Sequence, residues 1–524
     1  MIESFVSIKD LTPPVFKESL LELAKIAENL RKLLDTDPLK ALEEANKLDG
    51  NINYQLLKAA ILVDGGAILK NVDAIRNGVD IYESVHELHP ENAEITYNLA
   101  NGVHSLALAN EYIDFTWYQD TYFLRLRARK LFYSVKTNDS VSFEIISQAL
   151  TNLANLHWSS YRWVEAYDFY VDALQFDNKN GIASSGALKM LRYALSNGIG
   201  NHELLRDEIK HLAVHVNSNT STIEAYGGVN AVTDILNEKS GIPAEEKFRR
   251  YESKDDFEDF VLRNNLTLSP TIHLVEHKSE RWDELNIASV SSSVKTCSQI
   301  PEIFPMFNVM KSDYILARKI FYDAINNSYI DTGTYSDTLD YACYGVQTSA
   351  LTLAQRIAFD VLDKIAVASI SYLKIGGAKQ TTFRTAWFRK NKSNDGIKIL
   401  SPKILAEIES GNTALLALAE ISNDLSDEGG YLKEKQSARN SSTHRFTILH
   451  DMGYLSESES RCLEHFNYEE FQYETLSTLK LARSALLYIV QMIMLREGRL
   501  SEQSDGLLMP MTVPSHEYIR GLDE

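Results

Sequence analysis

Cysteine is almost missing from this chain. Cys297, Cys343 and Cys462 are the only three in 524 residues; they are far apart, odd in number, and form no C-x-x-C pair. That excludes a disulfide framework and a cysteine zinc site, and it suits a reducing compartment. Proline and glycine are also sparse, 11 and 24 residues, which argues against many short strands joined by tight turns. No long uninterrupted apolar run exists. The most apolar one, 485 to 495, is broken by Gln491. It is well short of the roughly 20 residues a membrane span needs and reads as a buried helix. Met1-Ile2-Glu3-Ser4-Phe5 carries no basic region leading into an apolar one, so no signal peptide and a cytoplasmic location are expected. Phosphate-binding G-x-x-x-x-G-K-[ST] loops and G-x-S-x-G elbows are lacking. Basic charge is in deficit, 53 Lys and Arg against 72 Asp and Glu, a net −19. A surface coated for nucleic acid is excluded, but a local basic site is not.

What is present is ordinary globular material, 44% hydrophobic and 24% charged, enough for two to four domains with real cores. Helix-period segments fill most of it, so the expected fold class is all-α. An amphipathic helix is predicted over 15–34, with Phe16, Leu20, Leu23, Ile26 and Leu30 at helical spacing. From about residue 50 a weak repeat follows. Its clearest unit, about 147–180, sets Ala154, Ala166, Tyr170 and Ala173 at spacings that resemble a tetratricopeptide repeat. Gly66, Tyr82, Val85 and Pro90 mark a second unit. Leu99-Ala100 with Ala128, Phe132 and Val135 mark a third, which an aromatic insertion including Trp117, Tyr118 and Tyr122 interrupts. Small residues there let paired helices approach closely.

Histidine pairs four apart, His211 with His215 and His273 with His277, have zinc-ligand spacing on a helix, but no third ligand accompanies them. Structurally bonded or solvated histidines are the expectation, with no metal and no cofactor. Serines and prolines over 288–305 mark a linker. It divides a helical-repeat region with irregular helices, 1–287, from a helical domain, 306–500, followed by a tail, 501–524. Helices are predicted over 307–327, 344–375, 413–424, 432–450 and 468–497.

Residues 374–403 hold eight basic residues against the single acid Asp395, inside a strongly acidic chain. Lys379, Arg384, Arg389, Lys390 and Lys392 could grip phosphates, and Trp387 among them could stack on an unpaired base. The alternative is a solvated loop whose aromatics pack on the domain. Further on, Arg439-Asn440-Ser441-Ser442-Thr443-His444-Arg445 puts a guanidinium, an amide and an imidazole on the predicted helix 432–450. Asn440 and His444, four apart, would share one face. His444 can move a proton near neutral pH, and Arg439 can hold a phosphate with two parallel hydrogen bonds.

Set among long apolar helices, Arg439, Asn440 and His444 resemble the R-x(4–6)-H motif of the HEPN superfamily. Further stretches resemble a prokaryotic HEPN family with N-terminal tetratricopeptide-like repeats: Phe304-Pro305-Met306-Phe307-Asn308, Asp340-Tyr341, Arg356-Ile357-Ala358-Phe359-Asp360-Val361-Leu362-Asp363-Lys364-Ile365-Ala366 and Phe383-Arg384-Thr385-Ala386-Trp387. The resemblance implies an α-solenoid followed by a HEPN-type bundle. It also implies a metal-independent endoribonuclease of the toxin or anti-phage type. Arg439, Asn440 and His444 would be catalytic in a homodimer through the HEPN domain, and Arg445 would add to the RNA contacts. RNA is the implied substrate, a protein or peptide is the implied partner of the repeats, and no membrane is involved. A non-catalytic scaffold or peptide-sensing regulator is the alternative.

Overall fold

The computed structural model describes residues 14–109, 114–136, 138, 141–200, 202–238, 255–269, 283–293, 300–376, 381–389, 398–426, 429–432, 446–452, 462–503 and 508–514. They fall into two compact units, 1–153 and 154–524.

Unit 1 is a stack of antiparallel helices: α1 (Pro14–Thr36), α2 (Pro38–Asn46), α3 (Ile52–Leu69), α4 (Val72–Leu88), α5 (Ala93–Ala109), the short α6 (Trp117–Asp120), α7 (Tyr122–Lys136) and the first part of α8 (Phe143–Trp158). Consecutive helices pack as pairs, α3 on α4, α4 on α5, and α5 on α7. The repeat positions explain why. Tyr82, Val85, Ala128, Phe132 and Val135 are all buried. A side chain at Gly66 would come within 2.8 Å of Ile75 Cγ1, and one at Gly78 within 2.9 Å of the Ala59 carbonyl, so only glycine permits these crossings. The aromatic insertion is core as well. Trp117, Tyr118 and Tyr122 are buried, and Arg125 lies over the Trp117 and Tyr118 rings while donating to the Tyr118 carbonyl at 2.7 Å.

Unit 2 opens with α9 (Trp163–Phe176) and α10 (Gly181–Ser196), continues through α11 (His202–Ser218), α12 (Thr220–Glu238) and α13 (Asp256–Arg263), and then builds a bundle. The bundle helices are α14 (Ile303–Ile325), α15 (Val346–Tyr372), α16 (Pro402–Glu409), α17 (Thr413–Asp424) and α18 (Tyr468–Gln503). α14 packs along α15, and α18 packs against both and against α17. All but the shortest agree with the sequence periodicity to within about six residues. Ala485 to Ile489, Met492 and Ile493 are buried core, as the apolar run predicted. Among the described residues, α3 and α18 are long and apolar enough to cross a membrane by length and composition; 78% of the α18 window is buried inside the protein.

An all-α expectation misses two small sheets. β1 (Val290–Ser293) pairs antiparallel with β5 (Leu508–Met511), so part of the expected linker is clasped to part of the expected tail, and Ser291 N–H donates to Glu497 at 2.7 Å. The second sheet has the order β2-β3-β4: β2 (Ala342–Cys343), β3 (Phe446–His450) and β4 (Leu463–Asn467), with β3 and β4 parallel. β3 corrects the end of the helix predicted over 432–450, at 446–450; residues 433–445 lie outside the described residues. Phe446, Thr447, Ile448 and Leu449 are β-branched or bulky, and pairing on both sides satisfies their backbone groups better than an isolated helical turn would.

Candidate functional site

The last turn of α17 is where three parts of unit 2 meet. Asp424 and Glu420 are buried at that turn. From the α8–α9 corner, Arg162 bonds Asp424 and, with Nε at 3.1 Å, Glu165, while Ser160 donates to Glu420 at 3.4 Å. Burial alone would lower the Arg162 pKa, but the carboxylates of Glu165 and Asp424 outweigh it and hold the guanidinium well above its ordinary value. From the other side, Ser422 donates to the Arg384 carbonyl at 3.1 Å, and Lys398 Nζ reaches the Ser422 carbonyl at 3.4 Å. Leading on from α17, Leu432 N–H donates to the Asp424 carbonyl at 3.0 Å, and Tyr431 OH lies 3.4 Å from His157 Nε2.

α18 completes the joint with α9. Gln491, which interrupts the apolar run, accepts from Trp163 Nε1 and donates to Tyr193 OH, each at 2.9 Å. Tyr488 OH donates to Glu165 at 3.0 Å, and Arg483 bridges Asp168 at 2.9 Å and the Thr267 carbonyl at 2.8 Å. Desolvation raises the Asp168 carboxyl to about 6 against the pull of Arg483. Nothing in the spacing of Arg162, Glu165 and Asp424 along the chain marks this joint.

The predicted basic segment is only partly as expected. Trp387 is fully buried, edge-on to Phe383 with ring centroids 5.5 Å apart, and cannot stack on a base. This corrects its assignment to RNA contact. The aromatic belongs to the core because Phe383 and Trp387, four apart, turn inward together. Asp363 fixes that turn by accepting Phe383 N–H at 2.8 Å. Phe388 is half-buried under Lys398, whose Nζ lies 5.3 Å from the ring centre. Arg389 is exposed and Arg384 half-buried. Lys379, Lys390 and Lys392 lie outside the described residues, as do Arg439, Asn440, His444 and Arg445.

A pair of histidines sits on the sheet. His450, fully buried on β3, has Nδ1 2.9 Å from the Asp340 carbonyl, and its Nε2 lies 2.8 Å from His465 Nδ1 on β4. A carbonyl can only accept, so in the uncharged pair the proton is on His450 Nδ1. Nε2 then accepts from His465 Nδ1–H, which fixes both tautomers. The pair at His211 and His215 is structural. His215 Nδ1 is 2.7 Å from Ser184 Oγ, and His211 lies 3.5 Å from Glu208. Among the described residues, no three His, Cys, Asp or Glu side chains converge to hold a metal. His273 and His277 are outside them.

Residues 294–496 match the family described as LA2681-like HEPN. This region is an LA2681-like HEPN domain. No curated protein and no solved structure matches the chain. The HEPN domain contains α14, α15, α16, α17, most of α18, the three-stranded sheet and the segment carrying Arg439, Asn440 and His444. The helices of unit 2 that precede it, α9 above all, are bonded into the HEPN domain through Arg162, Trp163 and Glu165.

Proposed function

We propose that the protein is a metal-independent endoribonuclease effector of the toxin or anti-phage type, controlled through its helical repeats. The observation that carries this reading is the triplet Arg439, Asn440 and His444 inside a HEPN region. His444 would take the proton from a ribose 2′-OH. That oxygen attacks phosphorus, the bond from phosphorus to the 5′-oxygen breaks, and the leaving oxygen is protonated by a second acid, the His444 of a second copy in a homodimer. Arg439 would neutralise the charge on the pentacovalent phosphate, and Asn440 would orient the imidazole or the phosphate. The products are a 2′,3′-cyclic phosphate and a 5′-OH. The exposed Arg389, with Lys379, Arg384, Lys390, Lys392 and Arg445, would hold the RNA backbone, which accords with a local excess of positive charge on an acidic chain.

The test is cleavage of end-labelled RNA by the full chain in excess chelator, with the product ends identified. Cleavage to cyclic phosphate that H444A and R439A each abolish is the expected result. Equal cleavage by H444A, or no cleavage with or without divalent metals, overturns the reading.

A further inference from the structure

The connection between α14 and α15, residues 326–345, is far longer than the roughly 2–8 residues that usually join packed helices. It is nevertheless braced along its length. Asp331 accepts Val346 N–H at the start of α15 and Gly333 N–H, each at 2.8 Å, and the Tyr335 hydroxyl at 3.2 Å. The two N–H bonds hold its carboxyl below the usual carboxylate range. Gln347 Nε2 donates to the Tyr329 carbonyl at 2.8 Å, Asp337 accepts Leu339 N–H at 2.8 Å, and Thr338 Oγ1 lies 3.1 Å from Tyr344 OH. The far end joins the small sheet as β2, where the Tyr341 carbonyl accepts Asp451 N–H at 3.1 Å.

What this frame displays is apolar. Ile330 is 88% exposed and Leu339 87%, and Tyr335, Tyr341, Tyr344 and the Met452 that follows Asp451 are exposed as well. Leu339 and Tyr341 also have φ of 59° and 60°, a region costly for bulky residues. The chain bears that cost while leaving both side chains in water, so core packing does not account for it. Exposed apolar side chains gathered on one ordered segment are the mark of a surface that another molecule covers.

Charge selects the molecule. No Lys or Arg occurs from 320 to 355. Asp331, Asp337 and Asp340 in the loop, and Asp451 beside it, form no ion pair among the described residues. RNA phosphates would be repelled here. A second copy applied through the same face would set these carboxylates against their own counterparts, and like charges juxtaposed in an interface oppose it. We propose that this face docks a basic segment of a different protein, one that sets aliphatic or aromatic side chains between lysines or arginines. Leu339, Tyr341 and Ile330 would be buried at the centre of the contact, and Asp337, Asp340 and Asp451 would pair with the cations at its rim. The face belongs to the HEPN domain rather than to the repeats. The proposal goes beyond the proposed function and does not rest on RNA cleavage.

The experiment pans a phage-displayed random 12-residue peptide library on the immobilised full chain. Enriched peptides are then synthesised and titrated by fluorescence anisotropy. The expected result is a consensus that combines Lys or Arg with large apolar residues, bound about tenfold more weakly by I330S and by L339N and several-fold more weakly by D337N. Asparagine tolerates the left-handed backbone at 339 and keeps the acceptor at 337, so the loop should hold its shape. E91Q, which alters an exposed acid on unit 1, should bind as wild type does, and all four variants should melt as wild type does. No enrichment, a consensus without a basic or without an apolar residue, or equal binding by I330S and L339N overturns the proposal. So does a wild-type dimer in sedimentation equilibrium that I330S and L339N abolish, since the face would then belong to a second copy. RNA cleavage, present or absent, leaves each of these outcomes unchanged, so the ribonuclease reading stands or falls separately.

Discussion

Arg162 and Asp424 stand 262 residues apart in sequence, yet their side chains are bonded and both are excluded from water. Glu165 shares the guanidinium, so one buried cation balances two carboxylates. Removing the cation leaves two buried carboxylates without its countercharge. R162M should therefore lose about 3–5 kcal/mol of stability, measured by denaturant unfolding of the full chain. The double variant R162M/D424L should recover part of that loss. Additive losses would show that the two side chains are not coupled.

The histidine pair on the small sheet makes a prediction about protons. His450 and His465 should both carry the proton on Nδ1, because the Asp340 carbonyl accepts from the first and the first accepts from the second. Long-range nitrogen–proton NMR of the imidazoles reads this directly. A proton on His450 Nε2 would contradict the arrangement.

Trp387 and Arg389 should separate stability from RNA binding. W387A empties a fully buried site and should cost about 3–5 kcal/mol. R389Q removes an exposed charge and should leave the melting temperature unchanged. If the basic segment holds RNA, R389Q should weaken binding several-fold and reduce the slope of log affinity against log salt by about one. An unchanged salt slope would remove Arg389 from the RNA contacts.

His104 gives unit 1 an acid sensitivity. Crowding by the protein lowers its pKa to about 4 from an ordinary 6.5. The unfolded chain takes up a proton as pH falls through 6.5, whereas the folded chain does so only near 4. Stability present above pH 6.5 is thus lost progressively down to about pH 4. Since His104 is half-exposed, we expect about 1 kcal/mol between pH 7 and pH 5. H104L should flatten that part of the pH profile, seen by denaturant unfolding at the two pH values.

Helices were readable because their signals are local. The apolar spacing of 303–325, 346–372 and 468–503 places each helix without knowledge of its neighbours, and the small residues Gly66, Ala128, Ala154 and Ala166 mark the close crossings of paired helices. The motif Arg439, Asn440 and His444 was likewise visible as residue types at a spacing, although it lies outside the described residues. β3 was misread because a run of Phe446, Thr447, Ile448 and Leu449 suits a strand or a buried helix equally. Its two partner strands come from positions more than a hundred residues before it and about fifteen after it.

By itself the sequence determined the helical class, the repeats, the absence of a disulfide framework and the HEPN motif, since composition and periodicity are properties of each stretch alone. Tertiary structure decided that Trp387 is core rather than a stacking surface, that Gln491 is a partner for Trp163 rather than a flaw in an apolar helix, and that Arg162 belongs to α17. Those outcomes depend on which distant group fills the space beside a side chain. A buried charge or amide is tolerable only where that group can answer it, and no local pattern records which one does.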